Sequence, residues 1–315
     1  MTTGLTVGVD IGGTKCLGVV LDGHDDTVAE IRASTPQGSA ELIGTLSDVI
    51  GELVDVAGEV DAVGLGIAGQ LDLDGVMRFS PNLVGADELP IRARLQAEIG
   101  LPLRVDNDAN CAAVAELHHG AIAGVDHAVV INLGTGIGSA VIIGGELYRG
   151  ANGMAGEWGH TTLVQDGAPC ACGRRGCWEA YGSGAGLVRL AHDVLAAGEG
   201  KAIVALAGGD PDNVRGEHVM RAGRDGDHVA LAVLDQYARW LAVGIANVTA
   251  ALDPAVVVIG GGLVADADLY IDAVRRHYER AVLGAGHRPP VRIVSAELGA
   301  RAGALGAAIV ARELV

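Results

Sequence analysis

Residues 7–23, VGVDIGGTKCLGVVLDG, align without a gap with residues 129–145, VVINLGTGIGSAVIIGG. Each stretch reads as an apolar strand, a polar residue (Asp10 or Asn132), a glycine-rich turn and a second apolar strand. One hairpin met early in each half of a chain points to a duplicated architecture, with two phosphate-contacting turns facing each other across a cleft. Glycine suits such turns because backbone can approach a bulky anion only where no side chain intervenes, and successive N–H groups then form an anion-binding concavity. A third turn, GGG at 260–262, follows the apolar run VVVI and precedes a helical pattern. With Thr14 and Lys15 close to a strand-end aspartate, the three turns together favour a nucleotide ligand. The spacing is neither GxxxxGK[ST] nor a GxGxxG opening a helix, so a P-loop and a Rossmann domain are both excluded.

Around these hairpins the chain alternates short β-rich runs with longer helical ones. Strands are expected at 5–10, 16–21, 28–33, 62–67, 103–105, 128–132, 139–143 and 255–259. Helices are expected near 41–56, 91–99, 109–119, 186–196, 229–252, 269–280 and 301–312. This is an α/β pattern with a mixed sheet in each half. A chain of 315 residues, 50% apolar and 19% charged, can bury a large core and should hold two domains. Its net charge of -17 speaks against nucleic acid as a partner, which needs a basic surface, and against an anionic membrane. Uninterrupted apolar runs stop well short of the roughly 20 residues that span a bilayer, and no secretory pattern opens the chain. A cytoplasmic protein is expected.

Three of the five cysteines crowd into CACGRRGCWE at 170–179. An odd count, with Cys16 and Cys111 in regular elements far away, does not read as a disulfide framework. Together with His160 of GEWGH (156–160), Cys170, Cys172 and Cys177 supply four soft or borderline ligands on a glycine-punctuated loop, which fits a closed tetrahedral zinc site. A closed shell has no position for water, so the zinc should be structural. Glu157 and Glu179 flank that loop and should be aimed by it into one pocket, where they could hold paired hydroxyls of a polyol. VDNDAN at 105–110 sets Asp106, Asn107 and Asp108 between a strand and a helix. Asp108 could cap the helix, but the density of polar side chains at a strand's carboxyl end favours a ligand site. A carboxylate there could take a proton from a sugar hydroxyl as it attacks a phosphoryl group.

DIGGTK at 10–15, SPNL at 80–83, VDNDAN, LGTGIG at 133–138, GEWGH, CACGRRGCWE and VIGGG at 258–262 together resemble the ROK family (repressor, open reading frame, kinase) of sugar kinases, over nearly the whole chain. The cysteine segment with EWGH is the specific part. The resemblance implies a two-domain actin-like ATPase (ribonuclease H-like) α/β fold with a hinge cleft and a structural zinc loop. Residues 1–117 with 301–315 would form the smaller domain and 118–300 the larger, its zinc-binding loop at 156–180. It implies ATP-dependent phosphorylation of the 6-hydroxyl of an aldohexose, with Asp108 as catalytic base. Asn82, Asn107, Asp108, Glu157, His160 and Glu179 would bind sugar. Gly12, Gly13, Thr14, Lys15, Gly134, Thr135, Gly136 and Gly261 would line the ATP phosphates, with Asp10 near Mg2+.

D-glucose leads the substrate candidates and N-acetyl-D-glucosamine follows, alone or alongside glucose; mannose, fructose and N-acetylmannosamine stand further back. Polyphosphate is the alternative donor. A homodimer or homotetramer is expected from the family. Ala68 in IAGQLD and Trp158 in EWGH depart from the commoner family residues and put the substrate, rather than the reaction, in question. The rival class is a sugar-responsive repressor, but DIGGTK begins too near Met1 to leave room for a DNA-binding domain ahead of it, and the charge is wrong for DNA.

Overall fold

The computed structural model describes residues 4–12, 15–35, 39–80, 83 and 85–315, with backbone alone at Lys15, Ser39 and Ala40. Gly13, Thr14 and Asn82 therefore lie outside the described residues. The strands are β1 (Thr6–Ile11), β2 (Lys15–Leu21), β3 (Thr27–Ser34), β4 (Ala62–Ile67), β5 (Gln70–Leu71), β6 (Met77–Phe79), β7 (Leu103–Asn107), β8 (His127–Leu133), β9 (Ile137–Ile143), β10 (Glu146–Leu147), β11 (Val256–Gly260) and β12 (Arg292–Ser295). The α-helices are α1 (Ser39–Ala57), α2 (Ile91–Ile99), α3 (Asp108–His119), α4 (Glu179–Gly182), α5 (Gly184–Ala196), α6 (Lys201–Leu206), α7 (Gly216–Arg224), α8 (His228–Leu252), α9 (Ile271–Ala281) and α10 (Ala302–Ala311).

The duplication seen in the sequence is a duplication of sheets. One runs β3-β2-β1-β4-β7 and the other β10-β9-β8-β11-β12, the same order twice. In the first, β1 pairs antiparallel with β2 and parallel with β4, and β4 runs parallel to β7. In the second, β9–β10 is antiparallel and β11–β12 parallel. The chain divides into two compact units: residues 1–130, 140–156 and 296–315 form one, and 131–139 with 157–295 the other. The expected boundaries, at 117/118 and 300/301, fall elsewhere; β8 and β9 each pass from one unit into the other.

In the first unit, strand alternation decides which residues meet which helices. Val7, Val9 and Ile11 of β1, with Val63, Leu65 and Ile67 of β4, join the core under α1 and α2. Their alternates Gly8 and Gly64 face α10, where an added Cβ would overlap the carbonyl oxygens of Ala304 and Ala307. Backbone thus packs on backbone, and the last helix lies directly on the sheet of the first unit. Residue Asp10 shares this face with Gly8, which points it at the start of α10.

The second unit is built around α8, capped by the Asp227 side chain, which accepts from Ala230 N–H at 2.9 Å. By length and composition α8 could cross a bilayer, which the search for uninterrupted apolar runs missed; 56% of its apolar window is buried inside the protein. Tyr237 and Leu241 pack in the core, and fully buried Trp178 rests on Gly244 while its indole N–H donates to the Trp240 carbonyl at 3.0 Å. That anchor fixes the residue between Cys177 and Glu179.

Candidate active site

In the first unit, β7 runs into α3 with no intervening loop. Asn107, not Asp108, caps the helix: its Oδ1 accepts from Ala109 N–H at 2.8 Å and Asn110 N–H at 3.3 Å. Its Nδ2 donates to the Gly69 carbonyl at 3.0 Å, leaving one amide hydrogen for a ligand. Asp108, relieved of the cap, occupies the first turn, where its side chain accepts from Ala109 N–H at 2.9 Å. Burial raises its pKa, and the backbone N–H groups of Ala109 and of Asp108 itself only partly offset this.

At the carboxyl end of β1, Asp10 lies opposite Gly66 of β4. A Cβ at Gly303, in the first turn of α10, would come within 2.5 Å of the Asp10 carboxyl carbon, so glycine is what makes room for the acid. Burial first, and the like charge of Asp108 second, push Asp10 up to about 7. Part of its surface nevertheless remains open. Gly12 beside it accepts from the Thr35 hydroxyl at 2.6 Å. Cys16 and Cys111 are core residues, 1% and 0% exposed. Ala68, the departure from the family pattern, accepts from the Ser80 hydroxyl at 2.9 Å.

In the second unit, the β8–β9 turn is braced from several sides. Gly134 N–H donates to the Gly136 carbonyl at 3.0 Å, and Gly184 N–H reaches the Gly134 carbonyl at 2.8 Å. Gly261, at φ +81, would place a Cβ 2.5 Å from the Leu133 carbonyl oxygen, so both glycine turns meet at the end of β8. Glu179 Oε2 accepts from Ile137 N–H at 2.9 Å, and a Cβ on Gly136 would overlap that oxygen. One oxygen of the carboxylate that the sequence assigned to a polyol is thus turned toward the 134–136 glycine turn.

Its other oxygen, Oε1, accepts from the Cys170 thiol at 3.2 Å and lies 4.0 Å from His160 Nδ1. The ligand atoms of His160, Cys170, Cys172 and Cys177 all fall within 4.8 Å of one another. His160 Nδ1 is 3.7 Å from Cys170 Sγ, and Cys172 Sγ is 3.8 Å from Cys177 Sγ. A tetrahedron with bonds of about 2.3 Å to sulfur has edges of about 3.8 Å, so the donor set fits zinc in size as well as in chemistry. Nε2 of the same imidazole lies 4.0 Å from Glu157 Oε2. Gly159 between them is buried against Ile137, with no room for a side chain. Trp158 donates its N–H to the Ser139 hydroxyl at 3.2 Å.

The structure brings the sequence-predicted residues together within each unit: Asp10, Gly12, Asn107 and Asp108 in one; the 134–136 turn, Glu157, His160, Glu179, Gly261 and the three cysteines in the other. Sequence reasoning missed Gly66 and Gly303 beneath Asp10, and the 183–185 backbone behind the glycine turn. The run YGSGAG at 181–186 was the legible signal for the last of these.

The ROK family model matches residues 6–314. The chain belongs to the ROK family. Its fold is the actin-like ATPase α/β fold of the ROK sugar kinases. A glucokinase of Streptomyces coelicolor is 40% identical over 313 residues, 98% of each chain. An N-acetyl-D-glucosamine kinase of Vibrio cholerae is 31% identical, covering 96% of this chain and 97% of that one. Among solved structures, a ROK family glucokinase from Streptomyces griseus in complex with glucose and AMPPNP superposes with a TM-score of 0.88 at 36% identity, over 98% of this chain and all of that one.

Proposed function

We propose that this chain is an ATP-dependent hexose 6-phosphotransferase acting on D-glucose, with N-acetyl-D-glucosamine kinase activity, alone or alongside it, as the alternative. The observation that carries the reading is Asp108: Asn107 caps α3 in its place, leaving a half-buried carboxylate of raised pKa at the end of β7. In the reaction, the sugar 6-oxygen attacks the γ-phosphorus, its proton passes to Asp108, and the bond to the leaving ADP oxygen breaks. A base whose proton affinity lies above the ordinary carboxylate range is better matched to neutral pH. Little covalent chemistry falls to the protein in such a transfer, so positioning and charge stabilisation supply most of the catalysis.

Backbone N–H groups of the 134–136 turn and Gly261, with Gly12, Gly13, Thr14 and Lys15, would line the phosphates, and Thr135 would add its hydroxyl. Asp10, with the space left by Gly66 and Gly303, would hold Mg2+, which would neutralise charge developing on the phosphates. His160, Cys170, Cys172 and Cys177 would hold a structural zinc, whose work is to fix the loop carrying Glu157 and Glu179. Asn82, Asn107, Glu157, His160 and Glu179 would take the sugar hydroxyls, Glu179 through Oε1, since Oε2 already serves Ile137. ATP and a hexose as substrates support a cytoplasmic protein, and the family relationship supports a homodimer or homotetramer.

The test is ADP release with ATP and magnesium against glucose, N-acetylglucosamine, mannose, fructose and N-acetylmannosamine, compared by kcat/KM. Preference for glucose is the expected result; preference for N-acetylglucosamine selects the alternative at carbon 2. No turnover with any sugar, although sugar binds, would overturn the kinase reading in favour of a sensor.

A further inference from the structure

The aim of Asp108 is set less by its own side chain, which among the described residues is held only by adjoining backbone N–H, than by the backbone on either side of it. That backbone hangs on Asp106. Its Oδ1 accepts from Asn107 N–H at 2.8 Å and from Asn110 Nδ2 at 2.7 Å, gripping the chain before and after Asp108. Its Oδ2 accepts from Arg149 Nε at 2.6 Å. The pair is shielded, with the Asp106 side chain 7% and the Arg149 side chain 19% exposed. Arg149 also accepts from Ala155 N–H at 3.1 Å through its carbonyl, so one residue holds both the β7–α3 junction and the segment that leads to Gly156.

Stability alone does not require such a pair. Two buried charges lose their hydration, and apolar side chains of similar volume often stabilise as well or better. What apolar residues cannot supply is direction: three donors on one carboxylate, one of them charged, leave Asp106 a single orientation. We propose that Arg149 is a positioning residue which, through Asp106, holds Asp108 in line with the substrate hydroxyl; this rests on the reading of Asp108 as the base.

Arg149→Met and Asp106→Leu, singly and combined, test the proposal in the full zinc-loaded chain beside Asp108→Asn. Each single change should lower the unfolding midpoint and kcat together. The double variant should recover the midpoint while kcat stays about 10- to 100-fold down, as expected for a base misplaced by a fraction of an ångström to one ångström. KM for ATP should change by less than about threefold, since the phosphate turns of the second unit are untouched. Recovery of kcat together with the midpoint in the double variant would make the pair merely structural and overturn the proposal. Should the double variant fold poorly, Arg149→Lys supplies the second test: it keeps a charge beside Asp106 but loses the Nε donor that fixes Oδ2, so the midpoint should hold while kcat falls, and an unchanged kcat overturns the proposal. An active Asp108→Asn removes the base reading and this proposal with it, whereas an inactive Asp108→Asn beside fully active Arg149 variants removes the proposal alone.

Discussion

Replacing Asp10 by asparagine should stabilise the fold at alkaline pH while crippling turnover. Burial and the neighbouring charge of Asp108 move the Asp10 carboxyl from 3.8 to about 7. A carboxyl whose proton affinity is higher folded than unfolded favours folding while it is neutral: that contribution is whole below 3.8 and is lost as pH rises through about 7. At about 1.4 kcal/mol per tenfold change in proton affinity, ionising it at pH 8 costs at most about 4 kcal/mol. Asparagine keeps the shape and cannot ionise. In magnesium-free buffer at pH 8, Asp10→Asn should therefore unfold a few degrees above wild type by scanning calorimetry. At pH 5, where the folded carboxyl is still protonated, less than half of that gain should remain. An equal shift at both pH values, or a destabilised variant at pH 8, would refute the reasoning.

Asp108→Asn should lower kcat by about 10²–10⁴-fold while glucose affinity by calorimetry stays within about threefold, and near wild-type turnover would remove it as the base. Because Asp108 must be ionised to act and burial raises its pKa, kcat/KM of the wild type should fall on the acid side above pH 3.8; a profile flat down to pH 4 would contradict this. Gly136→Ala sets a methyl against Glu179 Oε2 and should pull that oxygen off Ile137 N–H, raising KM for ATP about tenfold, the scale of one charge-assisted hydrogen bond. Cys172→Ser, or chelation, should cost the bound metal, several degrees of stability and sugar affinity together, as read by metal analysis, calorimetry and sugar titration. A metal-free protein that binds sugar normally would break that coupling.

What the sequence made legible was whatever repeats or alternates. The paired hairpins announced two sheets because both of their strands carry the apolar period; β4 and α2 emerged at the residues expected. Strands of two to four residues such as β10 and β12, and short helices such as α4 and α6, offer too few positions for a period to show. The ligand set of the cysteine loop was legible for a different reason, since four donors at close spacing define their own chemistry.

The division of labour at the β7–α3 junction was not legible. VDNDAN before a helix expected from 109 reads with Asp108 as the cap, and only the extended backbone at Asn107 (φ -66, ψ 145) decides that the amide takes the cap and frees the acid. Glu179 shows the same limit, because its bond to Ile137 joins residues 42 apart and changes which ligand one of its oxygens can serve. Composition and motif therefore single out Glu179 and the VDNDAN run, whereas the long-range partners, Ile137 for Glu179 and Arg149 for Asp106, which no motif displays, determine which of their oxygens are already engaged.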